Sequence, residues 1–320
     1  MDNSKISWTD ATWNPVNGCT PVSEGCRNCY AATMAFRFSG PGEQYDGLAE
    51  RRGNRAVFNG TMRLLPARLD QPLRWKRPRK IFVNSMSDLF HEGIETDFIA
   101  RVFAVMVDAK RHVFQVLTKR PERMAALTND PAFWRAVRGW LKGNHLVNAS
   151  DAPLDGSPII RPNIWLGTSV EDQKAYDSRV PYLLDCKAEV LWLSMEPLLG
   201  PVENMEANFY LSGRTRRADK TLTAPASAPR VGWVVVGGES GPGARVMLPA
   251  HARSILAQCR AADVPFFFKQ HGTGATVDPD VDTWRREAGW LPQSIHRKGG
   301  DTLDGKAWHE YPPQISVLNG

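Results

Sequence analysis

Short, near-continuously apolar runs recur along the chain with amphipathic stretches between them, and this alternation constrains the fold more than any other feature. The runs are Lys80 to Val83, His112 to Leu117, Asn163 to Leu166, Glu189 to Leu193, Val231 to Val236 and Val264 to Phe268. Strands covered on both faces read this way, because neither face meets water. The stretches between them read as helices: Thr96 to Lys110, Pro121 to Leu127 with Pro131 to Leu141, Glu171 to Leu184, and Pro249 to Ala262. In the first, Ile99, Val102, Phe103 and Met106 fall at three- and four-residue steps and make one apolar face. Strand–helix alternation implies parallel strands joined by crossovers, hence an α/β fold, either a doubly wound sheet or a full or partial barrel.

The chain has 320 residues, 42% hydrophobic and 23% charged, which is globular usage and excludes a disordered or coiled-coil chain. Two stretches read as surface insertions, one near 142–162 and one near 204–230, the latter carrying Arg214, Arg216, Arg217 and Lys220. Residues 1–276 are read as the α/β body. Residues 277–320, with Trp284, Trp290 and Trp308 among turn residues, are read as a C-terminal extension packed on it. No apolar run approaches the ~20 residues of a membrane span, so no membrane is expected as a partner. The N-terminus lacks a basic region followed by an apolar stretch, so a cytoplasmic location is expected.

Polar residues cluster where the apolar runs end. They are Asn84, Ser85, Ser87 and Asp88; Thr118, Lys119 and Arg120; Thr168, Ser169 and Glu171; Ser194 and Glu196; Gly237 to Ser240; and Lys269 and Gln270. The carboxyl ends of parallel strands form the active face of such folds, so these groups are expected around one mouth. Ser87 and Ser169 also suit helix caps, whereas Lys269, Glu196 and Glu239 do not. Those last three are the candidate catalytic groups. Lys119, Arg120 and Arg245 are candidates for anchoring an anionic substrate, with ion pairing to Glu196 and Glu239 as the alternative for the strand-end cations.

The segment from Trp13 to Ala31 carries Cys19, Cys26 and Cys29, separated by six residues and then two. In a reducing compartment five cysteines argue for metal ligands or free thiols over a disulfide framework. Thiolates converging on one metal centre need short spacings and permissive backbone, which Gly18, Pro21 and Gly25 supply. Cys186 and Cys259 read as buried structural thiols. Three ligands fit an iron–sulfur cluster with one open iron. Zinc would need a distant fourth ligand such as His91, His251 or His271, and a metal-free role also stays open.

Three clustered cysteines ahead of alternating strands and helices resemble a radical S-adenosylmethionine enzyme. The six-then-two spacing is similar to a narrower group, the phage-associated three-cysteine-motif, radical-SAM-like family. The likeness extends through Phe82 to Phe90 (FVNSMSDLF), Phe114 to Met124 (FQVLTKRPERM), Trp165 to Glu171 (WLGTSVE), Leu193 to Gly200 (LSMEPLLG), Gly237 to Gly241 (GGESG), Phe267 to Gly272 (FFKQHG) and Leu303 to Trp308 (LDGKAW). The resemblance implies a partial TIM-type (β/α) barrel in which Cys19, Cys26 and Cys29 ligate a 4Fe-4S cluster. It further implies that S-adenosylmethionine binds the open iron and is cleaved by one electron to a 5'-deoxyadenosyl radical. By the same analogy Ser85, Ser87 and Asp88 hold the methionine amino group, Ser169 and Glu171 contact ribose or carboxylate, and Tyr30 packs near adenine. An electron donor such as flavodoxin or ferredoxin is implied as a partner, and the host cytoplasm as the location if the gene is phage-borne.

A formal charge of +6 leans toward polyanionic partners. Basic clusters lie at Arg51 to Arg55, Arg74 to Lys80 and Arg214 to Arg217, and Trp75 sits among cations as in phosphate-plus-stacking sites. Together these point to a radical enzyme that modifies or rearranges a nucleobase in DNA or a nucleotide. The alternatives are a zinc-stabilised nucleic-acid-binding protein and a radical enzyme acting on a small molecule or peptide.

Overall fold

The computed structural model describes residues 4–143, 156–205, 208–209, 230–273 and 300–313. Its main sheet has seven strands: β1 (Ala11–Trp13), β2 (Lys80–Val83), β3 (Val113–Thr118), β4 (Ile164–Ser169), β5 (Val190–Met195), β6 (Val231–Gly237) and β7 (Phe266–Gln270). Their spatial order follows the chain from β1 to β7 without reversal. The pairs β1/β2, β2/β3, β3/β4 and β6/β7 are parallel. A doubly wound sheet reverses its order at a switch point, so the unreversed order is the barrel type of α/β sheet.

Six of these strands coincide with the apolar runs to within a few residues. Several carry on further than the apolarity does, so Thr118, Thr168, Ser169, Ser194, Lys269 and Gln270 belong to the strands themselves and not to the loops after them. The ladder satisfies backbone N–H and C=O whatever the side chain, and Thr118 is still in register with Thr168. Every residue of β4 and β5 is buried, as expected of strands covered on both faces.

The helices of eight or more residues among the described residues are α1 (Tyr30–Arg37), α2 (Thr96–Asp108), α3 (Pro121–Asn129), α4 (Pro131–Gly143), α5 (Gln173–Asp185) and α6 (Pro249–Ala261). Proline opens α3 and α6, where its missing N–H costs no helical bond. No helix among the described residues is long and apolar enough to cross a membrane.

The chain divides into two compact units, one of Met1–Thr168, Ser178–Trp192 and Pro312–Gly320, the other of Ser169–Asp177 and Leu193–Tyr311. In the first, α2 buries Ile99, Val102, Phe103 and Met106 and packs on α4, with Phe103 edge-on to Phe133 at 5.1 Å and to Trp134 at 5.9 Å. A hairpin of Ala49–Arg52 and Arg55–Phe58, absent from the pattern of apolar runs, packs on α1. In the second unit the backbone around Trp308 joins the edge strand β7: Phe268 N–H donates to Trp308 O at 2.7 Å, and Glu310 N–H to Phe266 O at 3.2 Å. Tyr311 stacks on Trp233 at 5.4 Å, so this stretch covers an edge that would otherwise expose unpaired backbone. Residues 277–299 and 314–320 of the expected extension, including Trp284 and Trp290, lie outside the described residues. So do residues 144–155, 206–207 and 210–229 of the expected insertions, with Arg214, Arg216, Arg217 and Lys220.

Candidate functional site

The cysteine loop leaves β1 and is tied at once to the loop that leaves β2. Asn14 accepts the Met86 N–H at 3.1 Å and its amide donates to Ser85 Oγ at 3.1 Å. Ser87 Oγ donates to Val16 O at 2.8 Å, and Gly18 N–H donates to Met86 O at 3.2 Å. On the other side Gly60 N–H donates to Cys19 O at 3.1 Å. Gly18 has φ +97°, and a Cβ there would lie 2.0 Å from Thr61 O, so only glycine lets the backbone pass this close.

Each cysteine sits at a different local feature of this loop. Cys19 follows Gly18, Cys26 closes the 3-10 turn Glu24–Cys26, and Cys29 is the N-terminal cap of α1. All three are free thiols. Burial pushes the Cys19 thiol up to about 12, aided by the negative charge of Asp88 and by the other two cysteines, while Arg120 opposes. Burial also raises Cys29, against backbone N–H groups of Ala32 and Ala31 at the start of α1, and against the positive charge of Lys119. The three sulfurs therefore feel one another's charge, although among the described residues no three Cys, His, Asp or Glu side chains stand in ligating geometry. Half-buried thiols gathered on one short loop are a donor type suited to a soft cation, because a bound metal centre supplies the positive charge that lets thiolates form.

Arg120, two residues past β3 at the N-terminal cap of α3 and 8% exposed, ties this loop to the strand ends. Its guanidinium donates to Asp88 at 3.2 Å, to Glu92 at 2.9 and 3.0 Å, to Thr20 O at 3.1 Å and towards Cys19 Sγ at 3.9 Å. Asp88 in turn accepts from Thr118 Oγ1 at 2.6 Å, Phe90 N–H at 3.0 Å and Lys119 N–H at 3.0 Å. His91 accepts the Gly93 N–H on Nδ1 at 3.0 Å, so its Nε2–H donates to Thr20 Oγ1 at 2.8 Å. Burial, and then the Arg120 charge, hold that imidazole below the usual histidine range. Of the three histidines considered as a fourth zinc ligand, His91 alone shares a unit with the cysteines, and both its ring nitrogens are bonded within the protein.

Two buried amides beside this loop are not satisfied. Asn17, fully buried, precedes Gly18, and Asn84, 2% exposed with φ +62°, ends β2. Neither their Oδ1 nor their Nδ2 atoms have a hydrogen-bond partner among the described residues. Buried polar groups are almost always paired, so an unpaired amide marks a place for a polar ligand or water. Asn17 gave no signal in the sequence beyond its place between Val16 and Gly18, and the bonding roles of Thr20, Glu92 and His91 depend on partners far along the chain.

The other expected site residues fall as follows. Ser85, Ser87 and Asp88 stand beside the cysteine loop with their hydroxyls and carboxylate bonded to Asn14, Val16, Arg120 and Thr118. Tyr30, the first residue of α1, is 64% exposed. Ser169 and Glu171 are buried in the second unit, where Glu171 O accepts the Leu199 N–H at 2.7 Å. That unit has a polar strand-end group of its own. Lys269 Nζ donates to Glu196 at 2.6 Å, and Gln270 donates to Glu196 at 3.3 Å and Gly238 O at 3.1 Å. Arg245 holds Glu239 by its backbone N–H at 2.8 Å and its guanidinium at 3.0 and 2.6 Å. The strand-end cations Arg245 and Lys269 are thus ion-paired with Glu239 and Glu196. A Cβ on Gly238 would lie 1.8 Å from His271 O, so the Gly237-Gly238-Glu239 turn exists to let two backbones approach.

A family model described as "Protein of unknown function (DUF5131)" matches residues 3–312, and the chain belongs to that family. Searches of curated proteins and of solved structures each returned no match.

Proposed function

We propose that this protein is a radical S-adenosylmethionine enzyme in which Cys19, Cys26 and Cys29 hold a 4Fe-4S cluster, acting on a nucleobase in nucleic acid. The observation that carries the reading is the cysteine loop itself: three free thiols, coupled electrostatically, pinned at the carboxyl ends of β1 and β2 in a parallel sheet of barrel-type order. Strand carboxyl ends are where α/β barrels keep their chemistry. Together with S-adenosylmethionine, such a cluster supplies one-electron cleavage of a sulfonium and hence hydrogen abstraction, given a reductant of the flavodoxin or ferredoxin kind.

The chain's own residues bind and position. Arg120 anchors the loop and places a positive charge beside Cys19, offsetting the charge that three thiolates would accumulate. At Cys29 the N–H groups that open α1 oppose the rise that burial imposes on the thiol. Asn17 and Asn84 have donors and acceptors to spare, which suits the amino and carboxylate groups of a zwitterionic ligand. In the second unit Lys269 and Glu196 form an ion pair at the strand ends, where a substrate would meet it.

The test is product analysis. Anaerobically reconstituted protein, reduced with dithionite in the presence of S-adenosylmethionine, is expected to release 5'-deoxyadenosine, measured by liquid chromatography. A Cys19→Ala/Cys26→Ala/Cys29→Ala triple variant is expected to release none; equal release by both proteins, or none from the parent, defeats the proposal.

A further inference from the structure

The cysteine loop has a second face. Beside Cys26 lies a cleft of about 360 Å³ whose walls include Arg27 from the loop and Arg52, Arg55 and Val57 from the hairpin. The hairpin packs on α1, which starts directly after Cys29, so the cationic wall is held to the cysteine loop by local structure.

The charge arrangement in this hairpin is costly on its own. Arg52 and Arg55 are directly opposite each other in the antiparallel register, which puts both side chains on one face. Like charges opposed across a ladder destabilise it, and Arg27 adds a third cation to the same cleft. The acidic compensation is partial. Glu50 bonds Arg52 at 2.6 Å and Glu24 approaches Arg27 at 3.8 Å, both in exposed pairs of the kind that contribute little. Arg55 has no acidic partner among the described residues. A cleft lined by three guanidinium groups against the single carboxylate of Glu24 keeps an excess of positive charge and is complementary to an anion, and guanidinium forks match phosphate oxygens in particular.

We infer that this cleft binds the phosphate of a nucleic acid or nucleotide, holding the substrate while the chemistry takes place elsewhere on the cysteine loop. The inference rests on the nucleobase reading above and specifies how its substrate is gripped. Three arginines lining one cleft suit a ligand that carries several anionic oxygens on one atom, which a phosphate supplies.

The experiment uses the full chain and fluorescence anisotropy with a fluorescein-labelled 12-nucleotide single strand. Substituting Arg52→Ala with Arg55→Ala is expected to weaken binding at least about tenfold and to flatten the slope of log affinity against log salt by about 1.4, the share of two phosphate contacts on a single strand. Arg101→Ala, a control that removes one cation from α2, is expected to stay within about twofold. Competition by unlabelled strand but not by adenosine monophosphate assigns the site to the phosphodiester backbone; equal competition assigns it to a free nucleotide. A double variant that binds like Arg101→Ala overturns the inference, as does a parent protein that binds polyglutamate and ignores the strand. Iron and sulfide content, measured on the same preparations, separates the two readings. Intact iron with no effect of the arginines defeats the phosphate cleft alone, and absent iron with the full arginine effect defeats the radical chemistry alone.

Discussion

Asp88→Ala should be among the most damaging single changes to the first unit, and the hydrogen bonds give its size. The carboxylate accepts from Thr118 Oγ1, the N–H groups of Phe90 and Lys119, and the Arg120 guanidinium, and both Asp88 and Arg120 are buried. Removing it leaves two backbone N–H groups without their acceptor, each costing about 1 kcal/mol or more. It also leaves Arg120 with Glu92 alone as an ionic partner, and Glu92 is 70% exposed. Breaking one partner of a buried pair costs about 3–5 kcal/mol, and we take about 4 as the total because the effects overlap. For a unit of this size that corresponds to a fall in Tm of about 10 °C. Glu92→Ala removes an exposed half-partner and should cost below about 1 kcal/mol. Thermal unfolding followed by tryptophan fluorescence compares the two variants. Equal shifts for Asp88→Ala and Glu92→Ala would refute the reasoning, since they would mean that the burial of the carboxylate contributes nothing.

Gly18→Ala combines a positive φ with a 2.0 Å approach to Thr61 O, so it should cost several kcal/mol, on the order of 3, and yield little soluble protein; expression at parental levels would contradict the geometry. His112 is fully buried, its Nε2 bonded to Pro72 O and its Nδ1 unpartnered, and burial lowers its pKa. Because the folded pKa lies below the unfolded one, its neutral form is fully compatible with folding above pH ~6.5. Stability then falls as pH drops from there toward the folded pKa, by up to about 1.4 kcal/mol per pH unit. His112→Gln should flatten that acid limb in urea titrations at pH 5 to 7, and an unchanged slope would show that His91 and His251, whose pKa values burial also lowers, carry it. Cys26→Ala should abolish iron binding after anaerobic reconstitution while Cys259→Ala, on the buried side of α6, retains it; equal loss from both would sink the ligand assignment.

Much of this architecture is legible in the sequence because parallel strands buried on both faces announce themselves as apolar runs, and β2 to β7 fall on them. The pattern fails where elements are short or polar. β1 has three residues, α1 follows a loop rich in Pro and Gly, and the hairpin Ala49–Phe58 reads as a basic cluster because one of its faces is charged. The cysteines are legible because their spacing is local. What surrounds them is not: Arg120 meets Cys19 across 101 positions and Ser85 meets Asn14 across 71, and nothing local in either segment specifies the partner. Likewise the polar character of Arg245, Lys269, Glu239 and Glu196 is visible in the sequence, but whether they face a substrate or one another is settled by tertiary geometry. Asn17 illustrates the limit, since an unpaired amide is defined by the absence of neighbours that only a folded chain reveals.

The central claim, that the three thiols are ligands of an open iron–sulfur cluster, is tested most directly on anaerobically purified protein by iron, sulfide and zinc content. Low-temperature electron paramagnetic resonance of the reduced sample, before and after adding S-adenosylmethionine, completes the measurement. The account predicts about four irons and four sulfides per chain and a signal that changes when the compound is added. One zinc per chain that survives reconstitution with iron and sulfide, with no such signal, would contradict it.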